Sequence, residues 1–332
     1  MNQDRFHNFR NLAENVYWLA LQDSNWLIPP KKVVRAFQEL GSLKGLWECS
    51  YAYLQSLDLD DKSIRKFCNH INRIKIDDLY KYAKHMSQNG IKLIRYIDQE
   101  YPEALKTGVY DPPLLLFHKG SLLDFENCVA IAGTRDCSWY GRLMAKRLAK
   151  AVASKGYTVV SGLARGTDEW AHSGALEAPK GKSIAVLPWM KPVYPSEHSK
   201  LLEDIENSGA AISERLERPL DKSARGKFVQ RNRIISGISR CLIALESGEE
   251  GGTVHQVRIA ISQDRKVFAL KPKDIEHFKK GFREFVDMGA IPIDSSKEVL
   301  NYLQKEVPLK TKDRKLDSYY QHSLDNSKGN LL

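Results

Sequence analysis

Between residues 225 and 235 the chain reads Arg225-Gly226-Lys227-Phe228-Val229-Gln230-Arg231-Asn232-Arg233-Ile234-Ile235, with cations at 225, 227, 231 and 233 and an aromatic ring among them. Folded as a helix, the stretch sets Lys227 and Arg231 on one face and Phe228, Arg231 and Ile235 along another. Cations that track a phosphate backbone, together with a ring on which bases stack, meet the requirement of sequence-tolerant single-strand binding. A solvated helix face with Phe228 buried beneath it is the competing reading. The density of arginine beside glycine favours binding.

Four other stretches carry candidate chemistry. Gly133-Thr134-Arg135, followed by Tyr140-Gly141, is a tight turn that would project Arg135; it is not a GxGxxG and indicates no dinucleotide site. Ser161-Gly162-Leu163-Ala164-Arg165-Gly166-Thr167-Asp168 offers a free hydroxyl, two glycines and backbone amides at a helix start, a phosphate cradle. Asp168 is either part of that site or a first-turn acid favoured by the helix dipole. His172 has no metal-ligand partner at useful spacing and is read as a buried hydrogen-bonding histidine. Trp189 and Tyr194, around Pro188 and Pro195, either stack on bases or cover the core. Glu249-Glu250-Gly251-Gly252-Thr253 is a second glycine turn at a helix start, although two glutamates beside it would repel phosphate.

These stretches sit at the ends of short apolar runs. The runs are 128–132, 157–161, 183–187, 210–213, 241–246 and 266–270, separated by helix-length amphipathic segments at 138–155, 167–178, 196–208, 228–238 and 253–263. Strands alternating with helices predict an α/β domain with a doubly wound, mostly parallel sheet. Runs apolar at nearly every position fit strands buried on both faces. In such a sheet ligands bind at the carboxyl ends of the strands, where all of these loops lie. IKLIRY and LLLFH, within 91–120, add two further strands that would extend the sheet.

Residues 1–90 instead carry helical periodicity (Val33, Val34, Phe37, Leu40, then Leu43, Leu46, Trp47), broken by Pro29-Pro30 and Gly41, with Asp58 or Asp60 as caps. The expected organisation is a small helical domain over 1–90, an α/β domain over 91–304, and a polar, flexible tail over 305–332.

The formal charge is +10 and the pI about 9.2, which makes a polyanionic partner worth weighing against a merely basic surface. Five scattered cysteines, none spaced CxxC, argue against a disulfide framework or a zinc site and for a reducing compartment. The N-terminus has no apolar core of a signal peptide and no stretch is long enough to span a bilayer. Neither secretion nor membrane insertion is expected, and a cytoplasmic location is.

Taken together, AGTRDCSWYGRLMAKRLAKAVASKGYTVVSGLARGTDEWAHSGAL, SIAVLPWMKPVYPSEHSKLLEDIENSGAAISE, FVQRNRIISGISRCLIALE and GGTVHQVRIAISQDRKVFAL resemble, in order, the DNA-processing protein A (Smf) family over roughly residues 90 to 272. The resemblance implies an extended Rossmann-like domain behind a helical domain of the sterile-alpha-motif or helix-hairpin-helix kind. It implies a mediator of natural transformation and recombination that binds and protects single-stranded DNA, helps load a RecA-type recombinase and works as a homodimer. The implied DNA contacts are Arg135, Ser161, Gly162, Arg165, Phe228, Arg231 and Arg233, with Arg225 and Lys227 as supporting cations; Gly133, Thr134, Asn232, Gly252 and Thr253, in the same loops and helix, complete the candidate DNA-binding site. No cofactor, metal or catalytic residue is implied. The family's FPxRNR is FVQRNR here, its glycine after the third strand is replaced by Pro188-Trp189, and Ile28-Pro29-Pro30 stands where a Gly-x-Gly hairpin would be. No winged-helix domain is recognisable at the C-terminus. The chain reads as a divergent member.

Two other functions compete. A related Rossmann-like group, the cytokinin-activating phosphoribohydrolases, cleaves nucleoside monophosphates with a PGGxGTxxE loop. The corresponding turn here, Gly251-Gly252-Thr253-Val254-His255-Gln256, has no acid after it, leaving only His255 or a distant Asp168 as a titratable group. A sensor of a nucleotide-derived ligand in the same pocket is the other alternative.

Overall fold

The computed structural model describes residues 13–22, 28–121, 125–220, 224–249, 251–273 and 275–305. Glu250, Leu27 and the tail expected beyond residue 305 lie outside them. The chain divides into two compact units, one formed by residues 1–101 with 111–119, the other by 102–110 with 120–332.

The first unit is helical, with one hairpin. Residues 13–20 form α1. It is followed by α2 (Pro30–Leu40), α3 (Lys44–Glu48), α4 (Tyr51–Ser56), α5 (Asp61–Arg73) and α6 (Ile76–Gln88). The breaks fall where residue chemistry puts them. Pro30 opens α2, where a missing N–H costs nothing, and Gly41 closes it in the left-handed conformation at φ 72°. Asp60 caps α5 by accepting the Ser63 amide at 2.8 Å. Trp18, Leu21, Ile28, Val33, Leu43, Leu46, Leu57, Ile64 and Phe67 fill the core. The strands expected within 91–120 are present as β1 (Lys92–Arg95) and β2 (Leu115–Gly120), paired antiparallel with Leu93 opposite Phe117.

The second unit is the α/β domain. After the short α7 (Glu103–Gly108) come β3 (Cys128–Ala132), α8 (Trp139–Ala153), β4 (Thr158–Ser161), α9 (Thr167–Leu176) and β5 (Lys182–Val186). A 3-10 turn at Ser196–His198 leads into α10 (Ser199–Ser208), then β6 (Ala210–Ser213), α11 (Ala224–Gly237), β7 (Cys241–Ala244), α12 (Gly252–Ser262), β8 (Lys266–Leu270), α13 (Glu276–Asp287), β9 (Ile291–Ile293) and α14 (Lys297–Gln304). Within this unit the strand order is β6-β5-β4-β3-β7-β8-β9, every pair parallel, with Val129 opposite Val159 and Ile131 opposite Ile243.

The order explains the apolar runs. All residues of β3, β4, β6 and β7 are buried, because α8, α9 and α10 pack against one another on one side and α11, α12 and α13 on the other. The chain winds outward from β3 to β6, then returns to place β7 on the other side of β3. That reversal makes the carboxyl ends of β3 and β7 the topological switch point, the crevice where open α/β sheets bind ligands. β9, α13 and α14 lie beyond the alternation expected from sequence; β9 is three residues long with Pro292 at its centre, too short for a periodic signal.

Candidate functional site

Every candidate DNA-binding residue lies in the second unit, at the end of β4, in the loops that follow the strands, or on α11 and α12. Two of these loops are stitched together. The Thr167 amide and hydroxyl both donate to the Thr134 carbonyl, at 3.2 and 3.1 Å, joining the loop after β3 to the start of α9. The approach is close enough that Gly133 has no room for a Cβ against Thr167. Gly166, at φ 76°, has none against the Arg135 carbonyl. This backbone packing holds Arg135 where its side chain is exposed at the mouth.

The loop after β4 differs from an open phosphate cradle. The Gly162 and Ala164 amides donate to Asp168 Oδ2 at 3.1 and 3.3 Å, so the loop's anion partner is already the chain's own carboxylate. Asp168 is buried, and burial pushes its pKa up against the opposing pull of Arg231, Ser161 and the two amides. The Ser161 hydroxyl, expected free, donates to the Ile131 carbonyl at 2.7 Å inside the sheet. His172 is the buried, hydrogen-bonded histidine expected. Its Nε2 accepts from the Leu163 amide at 3.3 Å, and its Nδ1 lies 2.7 Å from Ser183 Oγ, whose own proton goes to the Val159 carbonyl. Burial holds its pKa at about 3, with Arg231 and His198 adding to the depression, so it is a neutral Nδ1–H tautomer. Arg165 projects into solvent, where it pairs with Glu197.

Helix α11 divides its cations between inside and outside. Arg231 is 5% exposed and lies over Gly162, with Nη1 donating to the Val186 carbonyl at 3.0 Å; its buried Nε has no partner among the described residues. Burial lowers its pKa to about 10, with Asp168 raising and Arg135 lowering it, so it keeps its charge at neutral pH. Arg233, 1% exposed, makes a bidentate pair with Glu214 at 2.9 and 2.7 Å and also donates to the Gln230 carbonyl. Arg225 is exposed, and the half-buried Lys227 donates to Gln230 Oε1 at 3.1 Å. The helix is fixed from behind. Gln256 and Gln263 donate to the Asn232 and Arg233 carbonyls, and the buried Arg265 guanidinium caps the C-terminus at Ser236 and Gly237.

Phe228 is half-buried and belongs to a three-ring cluster. Its centroid lies 5.2 Å from Trp189 and 5.4 Å from Tyr194, both edge-on, while Trp189 and Tyr194 are 6.4 Å apart. Trp189 is buried, with its indole N–H donating to the Pro192 carbonyl; Tyr194 is exposed. Sequence left these two rings open between cover and platform, and the fold divides them accordingly. Two guanidiniums flank the cluster: Arg135 lies 5.7 Å from the Phe228 centroid and Arg218 lies 5.6 Å from that of Trp189.

The switch point itself holds a residue that sequence reasoning missed. Glu246, at the end of β7, is buried and accepts from both the Ser138 hydroxyl (2.5 Å) and the Ser138 amide (2.8 Å) at the N-terminus of α8. Its own carbonyl accepts the Thr134 amide at 2.8 Å, and the absence of a side chain at Gly141 gives its carboxylate room. Beside it, Gly251 caps α12, Gly252 is exposed and Thr253 is buried. Glu249 pairs with Lys280 rather than facing the loop unpartnered. Among the described residues no cluster of His, Cys, Asp or Glu is arranged to hold a metal, and no helix is long and apolar enough to cross a membrane.

The edge therefore combines exposed cations (Arg135, Arg165, Arg225), a flanked aromatic cluster, and two carboxylates, Asp168 engaged by amides of its own loop and Glu246 by Ser138 of the loop after β3. Exposed cations beside aromatic rings are the groups that recognition of phosphates and bases draws on, and both carboxylates are already hydrogen-bonded within the chain.

The family model described as DNA recombination-mediator protein A matches residues 92–304. The DNA processing protein DprA of Bacillus subtilis is 33% identical over 219 residues, covering 65% of this chain and 72% of that protein. Among solved structures, DNA processing protein A of Streptococcus pneumoniae superimposes with a TM-score of 0.68 at 25% identity, over 91% of this chain and 99% of that one. That of Helicobacter pylori, described for its single-stranded DNA binding mode, gives 0.57 at 28% identity over 65% and 96%.

Proposed function

The chain belongs to the DNA recombination-mediator protein A family, and from that premise we propose that it binds single-stranded DNA along the carboxyl edge of its parallel sheet. The observation that carries the reading is the Arg135–Phe228 stack, an exposed guanidinium on a ring that is itself braced by Trp189 and Tyr194. A cation and an aromatic face held side by side supply both halves of single-strand recognition, the phosphate and the base. Arg225 and Lys227 add charge around it, and Arg165 would do so by exchanging Glu197 for a phosphate. The backbone of Gly133, Thr134, Gly162, Gly252 and Thr253 sets the loops, and Asn232 stands on the helix between two buried arginines. Ser161, Arg231 and Arg233 act in this reading by holding the loop and α11 in place, since each is buried and bonded within the chain.

The single-strand binding named for the Helicobacter pylori relative supports the choice of ligand. The wider role follows the family: protection of single-stranded DNA, loading of a RecA-type recombinase, action as a homodimer in the cytoplasm, and service in DNA uptake, without catalysis. The test is anisotropy with labelled single- and double-stranded oligomers under a salt titration. Affinity for single strands should exceed that for duplex, rise with length and fall with salt, with a log–log slope of about −0.7 per phosphate neutralised. Tight mononucleotide binding with weak oligomer binding would instead make the protein a nucleotide sensor. Release of free base from nucleoside monophosphates would make it a hydrolase.

A further inference from the structure

Trp139 is the first residue of α8, four residues after Arg135, and 75% of its surface is exposed. A single exposed apolar residue is ordinary. Trp139 differs in where it stands and in what surrounds it. It follows directly from the loop that carries Arg135 at the switch point, and the exposed charges nearest it along the chain are Arg135, Asp136 and Arg142, while Asp294 and Glu246 act on the neighbouring Tyr140. Arg142, one turn along α8, is exposed, and Lys273, in the loop after β8, holds its ammonium 5.1 Å from the ring of Tyr140. Asp136 is the one acid in this loop, with its amide tied to Thr134 Oγ1.

The strand order turns these positions into a line. The loops after β5, β4, β3, β7 and β8 follow one another along the carboxyl edge. With neighbouring strands about 4.8 Å apart, the line from the β5 loop to the β8 loop is about 19 Å long. At about 3.4 Å per stacked nucleotide it accommodates five or six. The Phe228 cluster, with Tyr194, lies toward the β5 end. Tyr140, the residue after Trp139, reaches Lys273 in the loop after β8, which sets the start of α8 toward the β8 end of the edge.

We propose that Trp139 is a second base-stacking platform for single-stranded DNA, so that the strand passes from the Phe228 cluster across Arg135 to Trp139 and leaves past Lys273. The proposal rests on the single-strand reading above and extends its footprint. Charge complementarity favours nucleic acid over a second copy of this chain as the occupant, because the chain carries a formal charge of +10 and Trp139 stands in sequence between the exposed Arg135 and Arg142.

The experiment compares Trp139→Ala, Trp139→Phe and Phe228→Ala with the unaltered protein, using oligo-dT of about three and about twelve nucleotides. Trp139→Ala should weaken binding of the long oligomer about five- to hundredfold, and Trp139→Phe should restore most of it. The short oligomer, which fills only the Phe228 side, should bind Trp139→Ala unchanged while losing affinity for Phe228→Ala. An exposed position leaves the fold intact, which a thermal melt of each variant checks. Unchanged long-oligomer affinity in Trp139→Ala, with Phe228→Ala impaired, overturns the second platform and leaves the single-strand reading standing. Failure of the unaltered protein to bind either oligomer overturns that reading itself. Conversion to a smaller species in sedimentation, with DNA affinity retained, overturns the proposal in favour of an interface between copies.

Discussion

The Arg231 guanidinium occupies the space that a side chain at Gly162 would need. This contact joins the middle of α11 to the loop after β4, and it accounts for the glycine of the Ser161-Gly162 turn. Gly162→Ala must push Arg231 off the Val186 carbonyl and away from Asp168. A buried acceptor left unpaired costs about 1–3 kcal/mol, so urea unfolding of the alanine variant should show a loss of that size. In an Arg231→Ala background the same substitution should cost less than half as much, because nothing remains to displace. Additive losses would show that the two residues do not act through each other.

Arg233 and Glu214 make the second buried contact of α11, a fork-to-carboxylate pair almost closed to solvent. Removing one partner of such a pair strands the other charge, at a cost of about 3–5 kcal/mol. Arg233→Ala should therefore lower the melting temperature by many degrees. Its DNA affinity, measured on the folded fraction at low temperature, should change far less than that of Arg135→Ala. A variant of unaltered stability that has lost DNA binding would return Arg233 to the surface role its position in the sequence suggested.

These two arginines show where sequence reading stopped. The strands were legible because a sheet covered on both faces leaves uninterrupted apolar runs, as in Cys128–Ala132 and Cys241–Ala244. The loops at their carboxyl ends followed from topology. Within α11, however, arginine stands on both the inward and the outward face, and helical spacing alone cannot assign Arg225 to solvent and Arg233 to Glu214. The Glu246–Ser138 contact spans 108 residues, and Glu246 read simply as the end of a strand. Sequence allows Asp168 two roles, and the Gly162 and Ala164 amides that engage it are visible only in three dimensions.

His172 predicts an acid sensitivity with a definite sign. Its ordinary value is 6.5, and burial holds it at about 3 in the fold. The unfolded chain therefore takes up a proton that the folded chain refuses, so its stabilising contribution is full above pH 6.5 and is lost as pH falls from there toward 3. Asp168, whose pKa burial raises, acts oppositely: its contribution is present in acid and lost as pH rises through its folded value. Urea midpoints at about pH 7.5 and about pH 5.5 should show a smaller drop for His172→Gln than for the unaltered protein. Equal drops would mean that His172 takes up its proton without unfolding.

Glu246 predicts which ligands the switch point turns away. In a dinucleotide-binding sheet the phosphate sits at the N-terminus of the helix after the first parallel strand, held by amides and the helix dipole. Here that helix is α8, and the Glu246 carboxylate already accepts the Ser138 amide and hydroxyl at its start. An incoming phosphate would have to displace a buried carboxylate and tolerate its charge. Free mononucleotides and dinucleotides should consequently bind with millimolar Kd or weaker, while oligomers, held by the exposed cations and rings elsewhere along the edge, bind tightly. Glu246→Ala frees the Ser138 amide, at a stability cost of about 1 kcal/mol for the weakened cap. It should raise affinity for adenosine monophosphate about tenfold or more, as a charge-assisted contact becomes available to the ligand. Calorimetry of both proteins with the mononucleotide decides the matter. Micromolar binding by the unaltered protein would mean that Glu246 does not block the crevice, and it would move the sensor reading ahead of the DNA-binding one.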